Sequence, residues 1–207
     1  MTTETPDFEL LGQRGPGEHA ARQQIIDAAR KSFSHFGYKK TSVTDIAKTA
    51  GLSKAYVYRF FESKEAIGQG LCAEVLGDFL AQSKRAATGG QTATDKLRLM
   101  FDELMRVNVK LCVEEPRLCE IALDSMRERW PLNTAYVESL RQLVGEIVEE
   151  GRQRGEFERK TPLNEVARAV MNAMEVFYNP LILQFVLHEL PGAQVETMNL
   201  VLRSLSR

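Results

Sequence analysis

The chain has 207 residues, 43% of them hydrophobic, and a formal net charge of −1. That length allows one large domain or a small one joined to a larger one, with enough apolar side chains for a core. No run of about 18 apolar residues occurs, so no membrane-spanning helix is expected.

The even charge balance hides a local excess. From Arg14 to Lys64 there are ten Lys and Arg against four Asp and Glu, whereas residues 1–13 carry −3 and residues 65–207 carry −4. A basic block on a mildly acidic body points to one end that meets a polyanion. Cys72, Cys112 and Cys119 form no CxxC pair, and His19, His35 and His188 lie far apart. Neither a metal site nor a cofactor is expected from them. So few cysteines, in odd number, fit a reducing cytoplasm in which they serve as small core residues, with redox sensing by Cys112 or Cys119 as the alternative.

Residues 1–18 read as a flexible polar leader. Pro6, Gly12, Gly15, Pro16 and Gly17 interrupt any periodicity, and the basic start and apolar segment of a secretory signal are missing. The first helix carries Ile25, Ala29 and Phe33 at i, i+4, i+8, with Ile26 and Phe36 beside them. Gly37 suits its left-handed end.

Two short helices follow, separated by "AGLS". Ser42 and Asp45 have capping-box spacing at the start of the first, with Val43, Ile46 and Ala47 facing inward and Lys48 outward. Gly51 takes the sharp turn and Leu52 enters the core. Ser53 caps the second, "KAYVYRFF", in which Val57 and Phe61 share the inner face. Lys54, Ala55, Tyr56, Tyr58 and Arg59 fall on the rest of the cylinder.

Ser63 opens a longer helix with Ile67, Leu71, Val75 and Phe79 on one stripe, fading near "ATGGQT". The next spans roughly Thr94 to Glu115, with Leu97, Phe101, Leu104, Val107 and Leu111 inward. Pro116 begins or interrupts "RLCEIALDSMRER", and "WPLN" at 130–133 is a break. A helix from Asn133 carries Val137, Leu140, Val144 and Ile147 or Val148, and loosens at Gly151 and Gly155. Pro162 suits the first turn of a helix bearing Val166, Val170, Met174 and Phe177, which Pro180 kinks or ends before "LILQFVLHEL". Pro191 and Gly192 precede a last helix with Val195, Met198, Leu202 and Leu205. No strand or hairpin signal stands out. About nine helices result: an all-α fold with a three-helix helix-turn-helix head and a larger six-helix bundle.

The helix after Gly51 presents free amides, cations and hydroxyl-bearing rings on one surface. A helix of this kind fits the major groove. Arg59 and Lys54 suit phosphate or guanine, tyrosine hydroxyls suit phosphate oxygens, and Lys64 suits a further phosphate. A solvated helix–Gly–helix in a metabolic protein has the same spacing, so spacing alone leaves both readings open.

The run from Ile25 to Ile67 closely resembles the DNA-binding domain of the TetR family of transcriptional regulators. The matching elements are "AA" at 28–29, Phe33, "GY" at 37–38, "TSVTDIA" at 41–47, "AGLS" at 50–53, Tyr58, Phe61 and "SKE" at 63–65. The resemblance implies a DNA-binding head at 19–65, with the helix-turn-helix at about 42–61, and an effector-binding and dimerisation domain at 66–207. It implies a homodimer on the palindromic operator of a double-stranded DNA. In it Thr41 and Ser42 contact the backbone, Ser53 and Lys54 to Arg59 face the groove, and Lys64 clamps a phosphate. Ala55 and Tyr56 stand where the family often has Gly and Thr, so the operator sequence cannot be borrowed.

The body offers candidate effector-lining residues. Met100, Phe101, Leu104 and Asn108 share one helix, and Met126, Trp130 and Tyr136 surround a break. Met171, Met174, Glu175, Phe177 and Tyr178 share another helix. Plain core packing explains the same spacing. The resemblance suggests that helices near 162–187 and 193–206 pair across a two-fold axis. The combined reading is a cytoplasmic, ligand-responsive repressor that releases its operator when a small, mostly apolar effector binds. A regulator without an effector and a protein-interaction module remain alternatives. No nucleophile motif, phosphate loop or metal constellation points to an enzyme, and no catalytic residue is assigned.

Overall fold

The computed structural model of the chain describes residues 16–206. Among them ten α-helices occur and no strand. They are α1 (Pro16–Phe36), α2 (Val43–Ala50), α3 (Lys54–Tyr58), α4 (Lys64–Thr88), α5 (Ala93–Glu114), α6 (Pro116–Arg127), α7 (Pro131–Arg154), α8 (Leu163–Met174), α9 (Pro180–Val186) and α10 (Gly192–Leu205). Two single 3-10 turns, Glu175–Phe177 and Leu187–Glu189, follow α8 and α9. No single helix among the described residues is long and apolar enough to cross a membrane, although the bent pair Leu163–Phe177 and Pro180–Glu189 is, by length and composition alone.

Several boundaries differ from the sequence reading. Most of the expected leader lies outside the described residues, but Pro16, Gly17 and Glu18 already form the first turn of α1. Proline needs no hydrogen-bond acceptor there. The break before α7 lies at Glu128–Trp130, where Arg129 adopts a left-handed φ of 55°, and Pro131 starts the helix. The long apolar pattern after Pro162 is two helices, which makes ten rather than nine. Asn179 caps a fresh start by accepting from Leu181 N at 3.0 Å, with Pro180 in the first turn, so the proline begins a helix instead of kinking one.

The described residues fall into two compact units. One holds the chain up to Gly77 together with Val113–Ala135, and the other holds Asp78–Cys112 together with the chain from Tyr136. The division falls inside α4, α5 and α7, and it groups α6 with the head helices.

In the first unit Ile25, Ala29 and Phe33 of α1 are fully buried with Ile46, Val57 and Ile67. Phe36, read as part of that stripe, is 52% exposed. Helix α6 packs on α1. Asp124 of α6 pairs with Lys39 at 3.6 Å, and Trp130 meets Tyr38 edge-on at 6.4 Å. Gly68 makes room for both rings, since a Cβ there would sit 3.1 Å from each.

The second unit buries Leu97, Met100, Phe101 and Leu104 of α5 and Leu140, Val144, Ile147 and Val148 of α7. Its helix ends are tied by polar groups. Glu156 accepts from the free amides of Ala93 (3.1 Å) and Thr94 (3.2 Å) at the start of α5, and Lys96 pairs with Glu150 at 2.7 Å. The buried Arg152 guanidinium donates to the carbonyls of Glu158 (2.9 Å) and Thr161 (2.6 Å). Helices α8 and α10 pack together. Glu158 N donates to Leu205 O at 2.8 Å, so α10 ends beside the segment that enters α8.

The cysteines depart from the expectation of three thiols. Cys112 and Cys119 are not free thiols. Pairing depends on the approach of two Cβ atoms in space, which motif spacing does not reveal. Cys72 is a free, buried thiol, and burial pushes its pKa up to about 12.

Candidate nucleic-acid interface

The turn between α2 and α3 is built by its caps. The Ser42 hydroxyl accepts from Asp45 N at 3.2 Å, while the Asp45 carboxylate accepts from Ser42 N at 3.0 Å and from the hydroxyl at 2.6 Å. These bonds, the Ser42 hydroxyl first, hold the Asp45 carboxyl below the usual carboxylate range. At the other end Gly51 takes φ 69° and its N–H closes onto Lys48 O at 3.1 Å. Only glycine adopts that conformation at little cost. Ser53 then accepts from Tyr56 N at 3.1 Å and starts α3.

Regular α-helix ends at Tyr58, earlier than the sequence suggests, and Arg59 and Phe60 continue as a tighter turn onto Tyr56 O (3.1 Å) and Val57 O (3.0 Å). Val57 and Phe61 are buried, as their spacing predicts, and Leu52 is half-buried. Ser53, Lys54, Ala55, Tyr58 and Arg59 are exposed, and Tyr56 is half-buried. The cations rest on the rings: Lys54 Nζ lies 5.8 Å from the Tyr58 ring centre, and the Arg59 guanidinium 5.3 Å from that of Tyr56. Tyr56 is itself braced edge-on by Phe60 at 5.2 Å. Such cation–π contacts favour one orientation of each long side chain. The outcome is a surface with two cations and two aromatic rings in defined positions.

Two other residues read as DNA-facing are placed differently. The Thr41 side chain is only 2% exposed, with its hydroxyl 2.7 Å from Gly37 O and 3.3 Å from Ser32 O. These bonds close the turn after α1, and Ser42 is the exposed neighbour. Lys64 is half-buried. Its ammonium donates to Tyr38 O at 3.0 Å and Lys39 O at 3.4 Å, and lies 4.7 Å from the Tyr38 ring centre. The Tyr38 phenol is pushed up to about 12, first by burial and then by Glu128 and Glu65.

Sequence reasoning missed the residues behind this surface. Arg22 of α1 stacks 4.3 Å from the Phe61 ring centre and donates to Phe60 O at 3.3 Å, which fixes the chain leaving α3. Gln24 donates to Ala50 O at 2.8 Å at the end of α2. Both are polar residues among many others on an amphipathic helix, and nothing in their spacing marks them.

The effector candidates divide between the units. Met100, Phe101, Leu104, Asn108, Tyr136, Met171, Met174, Phe177 and Tyr178 are all buried and all lie in the second unit, with Glu175 half-buried among them. Met126 and Trp130 lie in the first. Trp130 is closed against Tyr38 and Gly68, and its indole N–H donates to Glu128 at 2.9 Å. It is a packing residue of the head unit. Asn108 donates to Leu104 O of its own helix at 2.8 Å, and Glu175 accepts from Asn179 at 2.9 Å.

A short capped helix that displays cations beyond a glycine turn is the layout of a helix-turn-helix. Residues 25–69 match the family model for bacterial regulatory proteins of the tetR family, and residues 93–197 match a tetracyclin repressor-like C-terminal domain. The chain belongs to the TetR family of DNA-binding transcriptional regulators.

Among its relatives, the fatty acid metabolism regulator protein of Bacillus subtilis (strain 168) is 35% identical over 80 residues, 39% of this chain and 41% of that protein. RutR of Escherichia coli (strain K12) is 36% identical over 76 residues, 37% of this chain and 36% of that protein. The likeness to these curated relatives thus spans about two fifths of their length. Among solved structures, the complex of SmeT with triclosan superposes with a TM-score of 0.66 at 18% identity, covering 91% of this chain and 92% of that one. SmeT is the repressor of the Stenotrophomonas maltophilia multidrug efflux pump SmeDEF. The fatty acid degradation regulator FadR of Bacillus halodurans gives 0.62 at 21% identity, covering 93% and 95%. At these identities the structures speak for the fold.

Proposed function

We propose that the protein is a cytoplasmic, homodimeric repressor that binds a palindromic operator and releases it when a small, mostly apolar effector enters the second unit. The observation that carries the DNA side is the exposed surface of α3 and its following turn, with Lys54 on Tyr58 and Arg59 on Tyr56. Ser42, Ser53, Lys54, Ala55, Tyr56, Tyr58 and Arg59 face the DNA in this reading. Lys64 adds a phosphate contact through an ammonium already held at one place by two carbonyls. Thr41 drops out as a side-chain contact.

Dimerisation is assigned to α8 and α10. Together they border a groove of about 610 Å³ whose walls include the small residues Ala169, Ala173 and Ser204. Leu200 of α10 is 62% exposed, which favours cover by a second copy. Two heads then occupy successive major grooves about 34–36 Å apart. An effector that prefers the non-binding conformation shifts α4, and with it the separation of the heads. Binding of triclosan by SmeT is a precedent for a small apolar effector on this fold.

Selection of bound sequences from random duplex DNA by the purified protein tests the reading. Enrichment of a palindrome with half-sites one helical turn apart is expected. Recovery of unrelated sequences, or of none, would overturn it.

A further inference from the structure

We propose that Tyr136 and Gln194 are the polar anchors of the effector site, and that they select an uncharged, mostly apolar effector carrying hydrogen-bonding groups. This rests on the effector-gated reading above and adds to it the chemistry of the effector.

Gln194, in the first turn of α10, is only 1% exposed, and neither its Oε1 nor its Nε2 has a hydrogen-bond partner among the described residues. Tyr136 of α7 is 5% exposed, and its hydroxyl is likewise without one. Buried polar groups are nearly always satisfied, and an unmet one is costly enough that leucine or phenylalanine would serve stability better. A group that lowers the stability of the free protein and is relieved by a bound molecule is what a binding site requires.

The two residues adjoin the same stretch of chain. Tyr136 interacts electrostatically with Tyr178, whose hydroxyl donates to Met171 O at 3.3 Å, so Tyr136 lies by the end of α8. Gln194 is placed by the helices around it. The end of α10 adjoins Glu158, just before α8, and the two helices pack. They therefore run antiparallel, and the first turn of α10 lies toward Met174. Helix α5 gives the same level: its first turn is held by Glu156, and Arg98 donates to Asn199 at 2.7 Å. At about 1.5 Å per residue, Gln194 stands near the height of Phe101 and Leu104. Both unmet groups are buried within the unit whose core holds Phe101, Leu104 and Met174.

The surroundings disfavour a charged guest. Burial raises the pKa of both the Tyr136 and Tyr178 phenols, which keeps them neutral. Arg141, whose field reaches Tyr178 and whose Nε also lacks a partner, is already ion-paired with Glu138. Glu175 accepts from Asn179. The Arg141 charge is thus already matched, and the Glu175 carboxylate, which an amide donor leaves charged, repels an anion.

Two fluorescent probes of one skeleton test this on the full-length protein: neutral N-phenyl-naphthylamine and its sulfonated analogue, anilinonaphthalene sulfonate. The neutral probe is expected to bind at least about tenfold more tightly. Tyr136→Phe and Gln194→Leu should each weaken it about fivefold and raise the melting temperature of the ligand-free protein. Equal or tighter binding of the sulfonate overturns the proposal. So does no binding of the neutral probe, unchanged binding in both variants, or a lower melting temperature in both. A gel shift on the selected DNA accompanies each titration. Wild-type protein that shifts DNA but binds no neutral probe defeats only this inference, whereas protein that shifts no DNA defeats the regulator reading.

Discussion

Around α3 the polar side chains close on one another, whereas inside the second unit two of them do not. Ser42 and Asp45 satisfy each other, Ser53 holds Tyr56 N, Lys64 holds two carbonyls, and the Trp130 indole holds Glu128. Tyr136 and Gln194 are far more deeply buried than Ser42, Ser53 or Lys64 and have no such partners. The contrast matches two tasks. A surface that reads a rigid duplex gains from side chains fixed before contact, because less ordering remains to be done on binding. A site that answers a small molecule needs groups whose satisfaction depends on it.

The largest effects should separate the units. Trp130→Ala and Phe101→Ala each remove a buried aromatic side chain and should lower stability by about 3–5 kcal/mol in urea denaturation. Below the transition their DNA affinities should differ. Loss of Trp130 unseats Tyr38, and through it Lys64, so operator binding weakens, while folded Phe101→Ala protein binds as wild type does. Equal loss of affinity in both would erase the distinction between the units.

A smaller effect sharpens the description of the head. Lys64→Ala should weaken binding to specific and non-specific DNA alike, and the slope of log affinity on log salt should fall by about 0.9 for each phosphate that is no longer neutralised. An unchanged slope would leave Lys64 a purely structural residue that ties the start of α4 to Tyr38.

The smallest concerns acid. Hydrogen bonds lower the pKa of Asp45 in the first unit, and of Asp95, Glu103, Glu150 and Glu158 in the second. A carboxylate with a depressed folded pKa adds stability above its ordinary value and loses it as pH falls through the folded one. Stability should therefore be level above about pH 4.5, the ordinary glutamate value, and decline below it. Trp130 reports the first unit alone, so its fluorescence should change at lower pH than the helical circular dichroism signal. Coincident transitions would show that the units melt together.

Much of the head was legible because its signals are local. Ser42, Asp45, Gly51 and Ser53 act within a few residues of themselves, and Val57 with Phe61 orients α3 by simple periodicity. What escaped depends on partners distant in sequence. Thr41 looks like a surface hydroxyl until Gly37 and Ser32 are seen around it. Nothing near α6 announces that Asp124 meets Lys39 or that Trp130 meets Tyr38. Pro180 follows an apolar run and reads equally as a kink or a start, and only the Asn179 cap decides. Gln194 resembles any polar residue in a first turn, because its burial comes from helices scattered along the chain.

The most direct trial of the DNA-reading surface is fluorescence anisotropy of a labelled selected operator, titrated with wild-type protein and with the Tyr58→Ala, Arg59→Ala double variant. Circular dichroism should first show that both are equally folded. A DNA-reading α3 predicts salt-dependent wild-type binding and a loss of about 1–3 kcal/mol per substituted residue in the variant. A folded double variant that binds the operator as tightly as wild type would contradict it.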